Sequence, residues 1–164
     1  MKQTNTTYIQ SQMNNRWGLF FIHYLLLLLK AILVISVIHS LNITLDLSIK
    51  NYTFLREIIQ YAIIHPIIET LIFQLLIKYI LDKLKLKNFY LILIIMTLLF
   101  TIAHGYFQPL LFLNLLFTCT IINIYYLKMQ KKESTQQAAL YTIILHALNN
   151  FTYLIIDKIE SVLI

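Results

Sequence analysis

Five long apolar stretches, separated by short polar segments, set the pattern of this chain. Each is close to the roughly 20 residues that an α-helix needs to cross the hydrocarbon core of a bilayer. Only two glycines and two prolines interrupt the chain, which favours long helices over β structure. The pattern predicts membrane-spanning helices over approximately residues 17–41, 54–81, 89–107, 109–127 and 136–156.

The composition supports the same class of protein. Of the 164 residues, 59% are hydrophobic and 12% are charged, whereas a soluble domain has about 25% charged residues. We therefore expect an all-α fold, a polytopic membrane helix bundle of about five helices. Residues 1–15 are expected to form a loose polar tail and residues 16–53 a leading transmembrane helix with its loop. Residues 54–164 would form the functional core.

The net charge of +6 is explained by topology. Two of the predicted loops on one side of the bundle carry three lysines each, and the loops on the opposite side are poor in cations. Because lysine and arginine accumulate in cytoplasmic loops, this pattern predicts a multi-pass protein of the cell membrane with a cytoplasmic N-terminus. The cations form no single patch, so we expect no nucleic-acid partner. They are Lys83, Lys85 and Lys87 in one loop and Lys128, Lys131 and Lys132 in the other.

Ionisable and amide side chains interrupt three of the predicted spans. The segment PIIETLIFQ places Glu69 inside an apolar helix, at a cost on the order of 2.5 kcal/mol or more. Such a residue indicates a functional site with polar partners. Three pairs of residues four apart share one face of their helices, and these faces are expected to turn towards the bundle interior. They are His65 with Glu69, Phe100 with His104, and His146 with Asn150.

A carboxylate, two histidines and an amide that converge in a bundle could catalyse hydrolysis. Glu69 could act as a general base and take a proton from a water molecule held also by His104. His146 and Asn150 could then donate hydrogen bonds to the oxyanion that forms on the attacked carbonyl. No serine or cysteine stands at a comparable spacing from either histidine, so water is the expected nucleophile.

The three segments PIIETLIFQ, FTIAH and HALNN resemble, in that order, the motifs of the CPBP family, which contains CAAX proteases and bacteriocin-processing enzymes. The family pattern is Glu-Glu-x-x-x-Arg, then Phe-x-x-x-His, then His-x-x-x-Asn, and the similarity covers about residues 54–156. The resemblance implies intramembrane peptide-bond hydrolysis. It also implies that Glu69 and His104 activate water, while His146 and Asn150 stabilise the oxyanion.

The first motif differs from the family pattern at two positions. Thr70 replaces the second glutamate and Gln74 replaces the arginine. Residues four apart can form an ion pair on a helix, and the loss of both charges is tolerated better than the loss of one. The two replacements are therefore interpreted as a neutral substitute for a structural ion pair. On an α-helix, Gln74 would lie about 140° from Glu69.

The resemblance implies that no metal is required. A divalent metal held by Glu69, His104 and His146 remains an alternative, because two histidines and a glutamate can bind zinc. No H-E-x-x-H sequence is present, so the metalloprotease motif itself gives no support to that alternative.

Two classes of function remain open. The first is an endopeptidase that cuts a membrane-associated peptide or protein, with a setting in bacteriocin processing or self-immunity implied by the resemblance. The second is a catalytically inactive member that binds or regulates another membrane protein. A small transporter would require discontinuous helices at repeat-related positions, and only Pro66 suggests one.

Overall fold

The computed structural model describes residues 3–40, 53–104 and 109–163, which form five helices and no strand. This confirms the predicted all-α bundle. Four of the helices are long and apolar enough to cross a membrane, and α3 is a shorter apolar helix. The helices are α1 (Gln3–Ser40), α2 (Phe54–Lys83), α3 (Phe89–Ala103), α4 (Pro109–Gln130) and α5 (Thr135–Leu163).

Three helix ends differ from the prediction by four residues or more, and one of them is the end of α5, which continues to Leu163 where the prediction ended at about residue 156. Helix α1 begins at Gln3, so most of the segment expected to be a loose tail is helical. The third predicted span reached residue 107, but α3 ends at Ala103 with His104 as its C-cap. Gly105 follows directly in the sequence, and glycine is the residue that most often ends a helix. Residues 105–108, the remainder of that prediction, lie outside the described residues.

Helix α2 is not a uniform α-helix. Two π-helical segments, Ile58–Ile64 and Thr70–Leu76, flank the α-helical segment His65–Glu69. In the first π-helical segment the backbone N–H of His65 donates to the carbonyl of Gln60, five residues earlier. Pro66 follows and has no N–H to donate. Proline commonly kinks a helix, and on both sides of Pro66 the structure shows a change of helical type.

The centre of the bundle is α4, which packs against α1, α3 and α5. Its buried side chains form the middle of the hydrophobic core together with Met96 of α3 and Leu145 of α5. Large apolar side chains on the outside of the bundle stay exposed, as expected for a surface that faces lipid; Leu25, Ile94 and Phe117 are examples. The core residues of α4 are Tyr125, Tyr126, Leu127 and Met129.

Three buried polar side chains connect α2, α4 and α3. The amide nitrogen of Gln74 donates to the Oδ1 atom of Asn123 at 2.8 Å, and the amide nitrogen of Asn123 donates to the hydroxyl of Thr97 at 3.2 Å. Thr70 is equally buried, but its hydroxyl has no hydrogen-bond partner among the described residues. Gln74 therefore has a structural partner, and that partner is Asn123 on α4, not Thr70 one turn away.

The π-helical geometry also corrects the expected angle between Glu69 and Gln74. The value of 140° assumes an α-helix, whereas the residues that follow Glu69 form a π-helix from Thr70 to Leu76. A π-helix bonds residue i to residue i+5, which brings these two positions closer in angle. The two side chains nevertheless contact different helices. Gln74 bonds to α4, whereas Glu69 faces histidines of α3 and α5.

We expect Gln74 and Asn123 to be energetically coupled. Gln74→Leu alone leaves the buried Oδ1 atom of Asn123 unpaired. The double variant Gln74→Leu with Asn123→Leu should therefore lose less free energy of unfolding than the two single variants lose in sum. The coupling should be on the order of 0.5–2 kcal/mol, as for other hydrogen bonds between membrane helices. Unfolding of the four proteins in detergent measures it.

Thr142→Val is the matched control for this cycle. Thr142 is also fully buried, but its hydroxyl donates to a carbonyl of its own helix, that of Ala138. Gln74→Leu combined with Thr142→Val should therefore be additive. Additivity of Gln74→Leu with Asn123→Leu as well would contradict a structural role for the pair.

Candidate active site

Glu69 lies between two histidines that come from different helices. Its Oε1 atom is 3.4 Å from Nε2 of His104, at the end of α3. Its Oε2 atom is 3.3 Å from Nε2 of His146, on α5. Each oxygen of one carboxylate thus faces one imidazole. The predicted convergence of Glu69, His104 and His146 is therefore observed.

The ring of His104 is oriented by its own helix. Its Nδ1 atom lies 2.9 Å from the backbone carbonyl of Phe100. A carbonyl can only accept a hydrogen bond, so Nδ1 carries the hydrogen. In the neutral imidazole, Nε2 then presents a lone pair towards Glu69. If the ring is neutral, this nitrogen and the carboxylate oxygen are both acceptors, and one water molecule could donate a hydrogen to each; if the ring is protonated, Nε2 donates to Glu69.

His146 is the most enclosed member of the site. Its side chain is 5% exposed, compared with 16% for Glu69 and 24% for His104. The ring of Phe100 packs against both imidazoles, with ring centroids 5.1 Å from His104 and 5.8 Å from His146. Phe100 also stacks on Phe73, with ring centroids 4.6 Å apart. The phenylalanine of the F-x-x-x-H motif thus fixes the position of the two histidines by contact with their rings.

Asn150 is held by a backbone carbonyl of α2. Its amide nitrogen donates to the carbonyl of Tyr61 at 2.9 Å, and its Oδ1 atom accepts a hydrogen bond from Asn149 at 3.2 Å. Both bonds fix the orientation of the amide. One of its two N–H groups is therefore engaged in holding α5 against α2, and the second N–H remains for another acceptor.

The helical geometry of α2 explains why the carbonyl of Tyr61 needs this partner. In an α-helix it would accept from His65, but the N–H of His65 donates to Gln60. In a π-helix it would accept from residue 66, which is Pro66 and has no N–H. A carbonyl at membrane depth without a partner is costly, and Asn150 supplies the missing donor.

The supporting residues predicted from the sequence separate into two groups. His65 is at the edge of the site, with Nδ1 3.9 Å from the Oε1 atom of Glu69 and 40% of its side chain exposed. Phe100 contacts the histidines directly. The other two, Thr70 and Gln74, are fully buried, and Gln74 bonds to Asn123 of α4. They lie in the packed interior of the bundle, and among the described residues neither side chain forms a hydrogen bond with Glu69.

Three structural contributors were not assigned from the sequence. They are the carbonyl of Tyr61 and the side chains of Asn123 and Thr97. Pro66 stands five residues after Tyr61, but this spacing becomes informative only once the segment Ile58–Ile64 is known to be π-helical. The described residues contain no group of three or more His, Cys, Asp or Glu side chains with the arrangement that holds a metal ion.

One of three comparisons with known proteins found a match. No curated protein and no solved structure matches the chain. A protein-family model does match, and its description is "Type II CAAX prenyl endopeptidase Rce1-like". The match extends over residues 51–152, which include the segments of all three motifs, and it confirms the resemblance seen in the sequence. The chain is a membrane protein that belongs to the Rce1-like family of type II CAAX prenyl endopeptidases.

Proposed function

We propose that this protein is an intramembrane endopeptidase in which Glu69 activates water for peptide-bond hydrolysis. The observation that supports this most strongly is the pairing of one carboxylate with two imidazoles from different helices. Membership in a family of proteases supports the same reaction. Ionisable side chains inside a membrane-spanning bundle are energetically costly, and such residues generally mark functional sites.

In the proposed reaction, a water molecule donates one hydrogen to Glu69 and the other to the neutral Nε2 of His104. Its lone pairs then point away from both acceptors and towards the substrate. As the water oxygen attacks the carbonyl carbon, Glu69 takes the water proton, and a tetrahedral oxyanion forms. Collapse of this intermediate breaks the C–N bond, and Glu69 returns the proton to the leaving amine. The products are a carboxylic acid, which keeps the second water hydrogen until it ionises in solvent, and an amine, and the enzyme is unchanged.

The oxyanion requires donors, and we assign them to His146 and Asn150. Both were inferred from the resemblance, and both lie on α5 within one turn of each other. Asn150 already donates to Tyr61, so its second N–H would serve the substrate. The first bond would then preorganise the second, because it fixes the amide before the substrate binds.

The altered first motif is compatible with activity. Thr70 and Gln74 are neutral, and the amide nitrogen of Gln74 donates to Asn123, although the Oε1 atom of Gln74 has no hydrogen-bond partner among the described residues. Neither replacement places an unpaired charge beside Glu69. This supports an active member over the alternative, a catalytically inactive binding or regulatory partner.

The proposed substrate is a membrane-associated peptide or protein, because the site lies within the membrane-spanning part of the bundle. Bacteriocin processing or self-immunity is the proposed setting, on the strength of the motif resemblance. We propose that Glu69 and the two histidines act without a required metal, since His104 and Glu69 together already offer two acceptors for water.

Glu69→Gln should remove most of the activity while the protein stays folded. Glutamine keeps the size of the side chain but cannot accept the water proton, and general bases typically contribute 10² to 10⁴-fold in rate. The measurement is cleavage of a membrane-anchored peptide library by purified wild-type and variant protein, analysed by mass spectrometry. Asp82→Asn is the control, because Asp82 is exposed and pairs with Lys78 away from the site.

Equal cleavage by wild type and Glu69→Gln would contradict the assignment of the base. Absence of cleavage by both proteins, together with a cellular phenotype that Glu69→Gln retains at equal abundance, would favour the binding partner. Loss of the phenotype in Glu69→Gln alone would support the hydrolase.

Asn150→Ala should have two effects that can be separated with Pro66→Ala. In the wild-type background it leaves the carbonyl of Tyr61 unpaired, with an expected cost of about 1–3 kcal/mol in stability. In the Pro66→Ala background this carbonyl gains a backbone donor, so the stability cost of Asn150→Ala should shrink. The loss of hydrolysis, roughly 10² to 10³-fold for an oxyanion donor, should persist in both backgrounds.

Unfolding in detergent and initial cleavage rates of the four proteins measure these effects. Thr142→Val is the matched control, because it should lower the free energy of unfolding by the same amount in both backgrounds. An equal stability cost of Asn150→Ala in both backgrounds would contradict the role assigned to the Tyr61 carbonyl. Full recovery of the rate with Pro66→Ala would show that Asn150 acts only on the helix.

A further inference from the structure

The two ends of the helix bundle differ in charge. The six lysines described above lie in the connections between α2 and α3 and between α4 and α5, or in the last turn of the helix that precedes each connection. At the opposite end, the sequence from 105 to 108 has no cation and the segment from 41 to 52 has one, Lys50. Arg56, in the first turn of α2, and Lys158 also lie towards that end, and Lys158 pairs with the buried Glu57 at 3.4 Å. The positive-inside rule places the lysine-rich end in the cytoplasm.

The site lies far from the lysine-rich end. At about 1.5 Å per residue, Glu69 is about 20 Å along α2 from Lys83, and His104 is about 22 Å along α3 from Phe89. Asn150 is about 22 Å along α5 from Thr135. The hydrocarbon core is about 30 Å thick. Three helices therefore place the site in the half of the membrane away from the cytoplasm.

The packing around Glu69 is asymmetric in the same direction. On the side of the lysine-rich end, the polar residues Gln74 and Asn123 are completely buried, and so is Met96. On the other side lie the two most exposed members of the site, His65 and His104, at 40% and 24%. His65 precedes Glu69 by one turn towards Phe54, the start of α2, and His104 caps the end of α3. The accessible edge of the site thus faces away from the lysines.

We infer that the active site opens towards the non-cytoplasmic face of the membrane. Its substrates are then exported peptides that are anchored in the outer leaflet, with the scissile bond about 10 Å below that surface. Peptides presented on the cytoplasmic face would meet the closed side of the bundle. The choice of substrate rests on the proposed function, whereas the direction of opening rests on charge and packing alone.

Thiol labelling in intact bacterial cells tests the direction of opening without any need for activity. The native Cys119 is buried and is replaced by alanine to remove background. Ala103→Cys places a thiol at an exposed position beside His104, and Lys87→Cys places one at the lysine-rich end. A membrane-impermeant maleimide should label Cys at position 103 in intact cells, and at position 87 only after permeabilisation.

Labelling of position 87 but not of position 103 in intact cells would overturn the proposal. So would failure of position 103 to react under both conditions while position 87 reacts after permeabilisation, because the site would then be closed to the outside.

Vesicles test the substrate class. The protein is reconstituted, and vesicles are captured in which position 103 faces outwards. A lipid-anchored peptide that detergent-solubilised protein cleaves is then added to the outer leaflet or enclosed on the inner leaflet. We expect cleavage at least tenfold faster from the outer leaflet. Faster cleavage from the inner leaflet would overturn the substrate assignment, and no cleavage even in detergent would reject the proposed function while the labelling result stands.

Discussion

A carboxylate inside a membrane needs polar neighbours, and in this protein the neighbours of Glu69 come from two other helices. His104 of α3 and His146 of α5 each face one of its oxygens. Any arrangement of the bundle that left this group in contact with lipid would be less stable by on the order of 2.5 kcal/mol or more. Helices α2, α3 and α5 must therefore meet at Glu69. The same contact that satisfies the buried polar group also assembles the proposed catalytic residues.

Helix α2 adjusts its own geometry around this point. The two π-helical segments flank the turn from His65 to Glu69, and π-helical geometry is frequent at functional sites. Pro66 removes one backbone donor, and Asn150 replaces it. A residue that the motif identifies with the oxyanion thus also holds α5 to α2. The two roles are compatible because an amide nitrogen carries two hydrogens.

Much of the architecture could be predicted from the sequence because two simple rules apply. Long apolar stretches mark the membrane helices, and residues four apart share a face, which identified Glu69, His104, His146 and Asn150 as one group. The partners of Gln74 and Asn150 could not be predicted in this way. Gln74 bonds to Asn123 and Asn150 to Tyr61, and both contacts depend on how separate helices pack.

The change of helical type in α2 was also beyond these rules. Angles calculated for an α-helix separated Gln74 from Glu69, whereas the π-helical segment Thr70–Leu76 changes that relation. A π-helix is rare, and both π-helical segments of α2 pack against α5, a contact that the sequence pattern does not reveal. The end of α3 at Ala103 is a simpler case, because the following Gly105 gave a usable signal.

Histidine ¹⁵N NMR of the detergent-solubilised protein tests the central claim most directly, namely that both imidazoles lie against the carboxylate of Glu69. Spectra of wild type and Glu69→Gln are compared, with resonances assigned by single histidine substitutions. His23 is the internal reference, because its Nδ1 atom bonds to the carbonyl of Leu19 at 2.7 Å on α1. We predict that the Nε2 resonances of His104 and His146 shift while those of His23 stay unchanged. Unchanged resonances of both His104 and His146 would contradict the account.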